Sequence, residues 1–210
     1  MTIMPNSFFV TLALGISMLI TGCTTQQPSP LTAYDLGSVS QANDAPLQAR
    51  LKSLNLPTIG LAEVTTPAWL DSQQMMYRLS YGNDQQTHAY ASNRWSMSPA
   101  QLFQQRLTAR LSQAGAGIVS ASDGALNVPV LHVALDDFSQ VFTSVSQNHA
   151  RATVRASLYD GRNLIAQKMF NVSTPSTSAD AQGGARALSE ASDAIIDNIA
   201  VWLSKYPPKK

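Results

Sequence analysis

One cysteine, Cys23, occurs in 210 residues, so no internal disulfide is available and packing must hold the fold. Charge is scarce as well. Asp, Glu, Lys and Arg make up 13% of the chain and the formal net charge is +1, which leaves no broad field directed at nucleic acid or an acidic surface. The polar surface therefore falls to Ser, Thr, Gln and Asn, as suits an exported protein. The three histidines, His88, His132 and His149, sit in separate elements with no Cys partner and no close acidic spacing, so the pattern predicts no metal site. No G-x-S-x-G elbow occurs, which argues against a serine hydrolase. Gly183-Gly184-Ala185-Arg186 lacks the Lys-Ser/Thr of a phosphate-binding loop and reads as a flexible first helical turn. Asp136 and Asp137 are neighbours in an expected strand, where adjacent side chains point to opposite faces and form no acid/base pair. Ser189 and Ser192 lie inside the last helix as solvated or packed residues. The expectation is a non-catalytic protein without cofactor or metal.

What is present begins at the N-terminus. Residues 8–20 are apolar apart from two hydroxyls, a length that suits the hydrophobic region of a signal peptide and is short for a bilayer span. Met1 to Ser7 carries no Lys or Arg, which makes a weak export signal or places the start elsewhere. The run ends in Leu19-Ile20-Thr21-Gly22-Cys23, which resembles the bacterial lipobox. There the thiol receives a diacylglycerol, the peptide is cut before the cysteine, and the new amine is acylated. Acyl chains at about 0.8 kcal/mol per buried methylene would hold the chain on a bilayer. Thr24, not Asp, follows the cysteine, and by the usual lipoprotein sorting rule this implies delivery to the periplasmic face of the outer membrane.

Removing residues 1–22 leaves 210 − 22 = 188 residues, enough for one domain with a core. The expected divisions are a signal peptide at 1–22, the acylated Cys23 and a polar tether at 23–33, a domain at 34–206 and a tail at 207–210. Strands are expected at 34–36, 58–64, 75–79, 88–90, 117–119, 128–138, 150–159 and 164–172. A short helical turn is expected near 47–54. Ser98-Pro99 starts a helix carrying Phe103, Leu107, Leu111 and Ala114, stopped by Gly115. Residues 150–159 alternate cleanly, so one face is packed and the other wet. Asp160-Gly161 signals a two-residue hairpin turn, and Thr174-Pro175-Ser176 breaks the strand pattern. A final helix at 178–203 places Leu188, Ile195, Ile199 and Trp202 on one stripe. The predicted fold is α/β: one domain with a mixed β-sheet flanked by both helices.

Several short motifs recur in a set order: Tyr34-Asp35-Leu36, Leu70-Asp71, Tyr77-Arg78, Arg94-Trp95 with Pro99, Asp137-Phe138-Ser139-Gln140-Val141-Phe142, the alternating strand at 150–158, and Trp202-Leu203. Together with the lipobox, this order resembles the ABC-type transport auxiliary lipoproteins of the PqiC/YmbA kind. The resemblance implies a mixed sheet flanked by helices. It also implies a non-catalytic outer-membrane component of a lipid-transport system, working with an MCE-domain protein that bridges the periplasm and with inner-membrane transporter subunits. That component would dock the bridge at the outer membrane and support envelope integrity, with the acyl anchor as its contact with outer-membrane lipid. A homo-oligomer is compatible with the sequence, and nucleic acid is not an expected partner. A periplasmic lipid-binding protein and a general outer-membrane assembly lipoprotein stay open as other readings.

Tyr77, Arg78, Tyr90, Arg94 and Trp95 form the candidate partner-binding group, since Trp, Tyr and Arg combine large apolar area with a polar handle. Aromatic side chains at the ends of elements also commonly pack in the core, and Tyr77 and Trp95 are open to that reading.

Overall fold

The computed structural model describes residues 30–38, 49, 51–124 and 128–207. The signal peptide, Cys23, the tether ahead of Pro30 and residues 208–210 of the tail lie outside these, as does part of the turn expected near 47–54. Within that turn, Ala49, Leu51 and Lys52 are helical. In chain order the elements are β1 (Thr32–Tyr34), β2 (Ile59–Leu61), β3 (Gln74–Leu79), β4 (Asn83–Trp95), α1 (Pro99–Gln113), β5 (Ile118–Ser120), β6 (Val130–Phe142), β7 (Asn148–Asp160), β8 (Asn163–Pro175) and α2 (Ala181–Leu203), with 3₁₀ turns at Ala68–Leu70 and Ala121–Asp123. They form one mixed sheet with two helices, the expected α/β architecture. Among the described residues no helix is long and apolar enough to cross a membrane.

The sheet is organised on β6. One edge pairs antiparallel with β7 along its whole length, and β7 pairs antiparallel with β8. The other edge is shared: β2 runs parallel to its first residues and β3 parallel to its last, at Leu61↔Leu131 and Tyr77↔Gln140. Between them Thr65 bridges to Ala134. Beyond β3 lie β4, antiparallel, and β1, parallel to β4. β5 flanks β2.

The 150–159 alternation appears on its packed face, while on the other face only Arg155 is exposed and Ser157 is buried. Ala150, Ala152, Val154, Ala156 and Leu158 are fully buried under α2, which packs across β6, β7 and β8. The stripe Leu188, Ile195, Ile199 and Trp202 is buried, each such side chain contributing about 1.5–3 kcal/mol. α1 packs against α2 and β5. Its start follows the expected chemistry: Pro99 takes the first helical position, and the Ser98 amide donates to Gln101 Oε1 at 3.2 Å.

Some boundaries differ from expectation, each for a local reason. β1 begins at Thr32, two residues ahead of the expected strand, and Leu36 is buried beyond its end. The β7–β8 turn is centred on Gly161-Arg162, one residue later than expected, because Asp160 still pairs with Asn163. Positive φ is confined to Gly161 (57°), as in a type II′ turn. β8 runs on through Thr174 to Pro175; it pairs only with β7, and an edge strand tolerates a missing amide. α2 starts at Ala181, capped by Asp180. A bulge between Leu135 and Asp137 turns both acids toward β7, so Asp136 meets Arg155 at 3.3 Å and Asp137 meets Arg151 at 2.8 Å. The two carboxylates therefore share a face instead of pointing apart.

The helices are locked by charge. Arg106 Nε and Nη2 donate to the Asp193 carboxylate at 2.5 and 2.6 Å, and Arg110 Nη2 donates to Asp197 at 2.7 Å. Arg110 Nη1 also lies 3.3 Å from Asp193 Oδ2, which ties the two pairs into one ladder. Both arginines are buried, with side chains 6% and 2% exposed. Arg106 Nη1 completes its set by donating to the carbonyls of Leu36 and Gly37 at 2.6 and 3.0 Å, and Ser189 Oγ donates to the same Leu36 oxygen at 2.6 Å. Removing one partner leaves a buried charge unpaired. Asp193→Ala is expected to cost about 3–5 kcal/mol in chemical denaturation. Asp136→Ala, at the exposed Arg155 pair, should cost about 1 kcal/mol or less by the same measurement.

Candidate partner-binding site

β3 and β4 present the predicted group, and the pleat divides it. Tyr77 pairs in register with His88, and its ring lies 5.2 Å from the His88 ring, 4.8 Å from Tyr90 and 5.9 Å from Phe142. Arg78, the next residue, points the other way. Its guanidinium sits 5.4 Å over the Trp69 ring, and Nη1 donates to the Asp84 carbonyl at 3.1 Å. The 3₁₀ turn that carries Trp69 thus supplies an aromatic platform for a strand arginine, a half-buried cation–π contact. β4 is offset from β3 by irregular register between Gln74 and Met76, which is why Tyr90 and Trp95, an odd number of residues apart, both face inward. Trp95 is 1% exposed and packs on Phe138 at 5.5 Å. Arg94, its neighbour, is exposed. Tyr77 and Tyr90 therefore come together, Trp95 belongs to the core, and Arg78 and Arg94 lie apart from the aromatic pair.

Tyr90 anchors a buried polar chain. Its hydroxyl donates to Gln140 Oε1 at 2.8 Å, and Gln140 Nε2 donates to Asn148 Oδ1 at 2.5 Å and to the Asp180 carbonyl at 3.2 Å. Asn148 Nδ2 then donates to the Ser178 carbonyl at 3.2 Å. Burial, then the neighbouring Tyr77 and Asp180, push the Tyr90 phenol above its ordinary range, so it stays protonated as a donor. Gly184 makes the chain possible: a β-carbon there would collide with the Gln140 side chain. The glycine pair expected to loosen the first turn of α2 instead admits a close approach.

Asp180 caps that turn. Its Oδ1 accepts from the Gly183 amide at 2.8 Å and from Ser178 Oγ at 2.7 Å. These bonds, the Gly183 amide foremost, hold its carboxyl below the usual range.

Two features escaped sequence reasoning. The Arg106–Asp193–Arg110–Asp197 ladder had a visible signal, matched i, i+4 pairs of opposite sign on two amphipathic helices. The exposed apolar tips had none: Tyr81 in the β3–β4 turn and Val145 in the β6–β7 turn are 52% and 81% exposed. The histidines stay scattered. His132 packs edge-on to Tyr159 at 5.1 Å, and among the described residues no cluster of His, Cys, Asp and Glu is placed to hold a metal. Hollows in the surface have mixed walls, the larger one including Tyr34, Leu36 and Ala185 beside its charged residues. One of about 590 Å³ is walled by Asp35, Arg106, Arg186, Glu190 and Asp193, and one of about 450 Å³ by Glu63, Gln101, Gln104 and Ser122.

Comparison with known proteins places this geometry. The family model described as ABC-type transport auxiliary lipoprotein component matches residues 34–200. No curated protein matches at a significant level. Among solved structures, a Xanthomonas campestris protein of the DUF330 family, XCC0632, is similar with a TM-score of 0.63 at 17% identity, over 72% of this chain and 86% of that one. A structure described only as an uncharacterized protein is similar with a TM-score of 0.62 at 15% identity, over 82% and 97%. At these identities the likeness concerns the fold.

Tyr90→Phe should cost about 1–3 kcal/mol, because Gln140 Oε1 is left without its donor. For Asp180, the depressed folded-state value means its stabilisation is present above the usual carboxylate range and is lost as pH falls through that value. Denaturation measured across the acid range should show this slope in the parent chain and a flatter one in Asp180→Asn.

Proposed function

Because the chain belongs to the ABC-type transport auxiliary lipoprotein family, we propose that it is acylated at Cys23 and serves as a non-catalytic docking component of an intermembrane lipid-transport system. A diacylglycerol and an N-acyl chain hold it on the periplasmic face of the outer membrane. There it receives the end of a periplasm-spanning MCE-domain protein, itself coupled to inner-membrane transporter subunits, and so supports envelope integrity. The observation that carries this reading is the family match, which runs from the last residue of β1 to within three residues of the end of α2. The lipobox at Leu19-Ile20-Thr21-Gly22-Cys23 supports the anchor.

The candidate group offers a partner two points of contact. Arg78 on Trp69 and the exposed Arg94 are the members of the predicted group that a partner can reach from the surface. Arginine over an aromatic ring, ready to form further bonds, is a common anchor in protein interfaces.

Crosslinking in intact envelopes followed by pull-down is the test, with Cys23→Ser as control. The parent chain is expected to recover an MCE-domain protein, and Cys23→Ser to lose both membrane location and that recovery. Recovery of only β-barrel or cell-wall components would overturn the reading in favour of a general assembly lipoprotein. Retention of phospholipid through purification, seen by native mass spectrometry, would favour a lipid carrier. Arg94→Ala is expected to reduce recovery several-fold with an unchanged melting temperature.

A further inference from the structure

The two turns with exposed apolar tips lie at one end of the sheet. Ser80, ahead of Tyr81, donates through its amide and its hydroxyl to the Phe142 carbonyl at 2.9 and 2.8 Å, which ties the β3–β4 turn to the end of β6. From there residues 143–147 turn back to β7, closed by Thr143 N donating to Gln147 O at 2.9 Å, with Val145 at the tip. These segments are nearly free of charge. Residues 143–148 contain none, and residues 80–87 contain only Asp84. The opposite end also exposes Leu164 and Ile165, but beside Asp160 and Arg162 of the β7–β8 turn.

The direction of the chain separates the two ends. β1 is parallel to β4, with Thr32 opposite Asn93 and Tyr34 opposite Trp95, and β4 runs away from the Tyr81 turn. β1 therefore enters the sheet heading away from the Tyr81 side. Leu31, just ahead of it, is 59% exposed. Gln74 to Leu79 is five steps along the strand, a rise of about 17 Å, so the turns lie roughly that far from the level of Thr32. The nine residues from Cys23 to Thr32 span at most about 30 Å when extended. That reach is long enough for an acyl anchor on Cys23 to sit beyond the level of the turns.

We infer that the end of the domain carrying Tyr81 and Val145 rests on the phospholipid surface, with both tips in the interfacial layer. This rests on the acylation of Cys23 proposed above. Tyrosine suits that layer because its ring is apolar and its hydroxyl stays hydrated, and valine adds apolar area. Uncharged turns enter it without the cost of desolvating an ion. The surface thereby assigned sets the orientation of the body on its membrane and leaves the opposite end, with Leu164, directed away.

The acylated full-length chain has no other thiol, so a single introduced cysteine reports one place. Val145→Cys, Tyr81→Cys and Leu164→Cys forms, labelled with an environment-sensitive fluorophore, are reconstituted into phosphatidylethanolamine–phosphatidylcholine vesicles containing nitroxide-labelled lipid. Labels at 145 and 81 should shift to the blue and be quenched by the lipid nitroxide at least twofold more than the label at 164. The label at 164 should stay open to aqueous iodide. Equal iodide access at all three positions, in protein that floats with the vesicles, overturns the orientation while leaving the anchor intact. Protection of 145 and 81 only on adding a soluble partner assigns the tips to protein contact and also overturns it. Thiol labelling of the parent chain at Cys23, with no flotation, overturns the anchor and this inference with it.

Discussion

Two buried arginines decide how this molecule is assembled. Arg106 and Arg110 leave α1 at i, i+4 spacing and meet Asp193 and Asp197, at the same spacing on α2, so four charges are removed from most of their water together. Such an arrangement is tolerated only when nearly every donor is used, and here the spare Arg106 nitrogen is taken up by the carbonyls of Leu36 and Gly37. The ladder thereby joins three pieces that share no sheet pairing: both helices and the segment that follows β1. Geometry that an apolar contact would leave adjustable is set by bidentate bonds.

The sheet obeys a different logic, in which one face is apolar and the other is neutralised in place. β7 places five small or branched apolar residues under α2 and aims Arg151 and Arg155 at Asp137 and Asp136 on the face without helices. A low overall charge is thus partly spent on internal pairing. The exposed arginines that remain, Arg94 foremost, stand out because so few other ions surround them.

The strongly one-sided elements were legible in the sequence. The packed face of β7, the α2 stripe and the Ser98-Pro99 helix start appear as read, because each reflects burial on one face only. β4 was legible only near Tyr90: residues 83–87 are polar and exposed on both faces, so pairing with β3, not hydrophobic pattern, makes them a strand. The last four residues of β6 fell outside the apolar pattern because Ser139 and Gln140 are polar yet buried, satisfied by Asp137 and by Tyr90 and Asn148. Of the candidate group, the pairing of Tyr77 with Tyr90 was within reach of sequence reasoning. Its separation from Arg94 depends on the register shift between β3 and β4, and a shift of that kind has no local signature.

The shared edge of β6 has a consequence for how the chain comes to its fold. β2 (Ile59–Leu61) lies between β5 and β6, both parallel to it and both more than fifty residues later in the chain. β3 has its hairpin partner within a few residues, so it gains some pairing early, while β2 has none until Ile118 and then Val130 have been made. Parallel contacts of such sequence separation close large loops before they return any stabilisation, which slows the search. Emerging from its N-terminus, the chain must therefore carry Ile59-Gly60-Leu61 as a bare apolar strand until β6 arrives. That interval is when it is most open to mispairing and most in need of a chaperone.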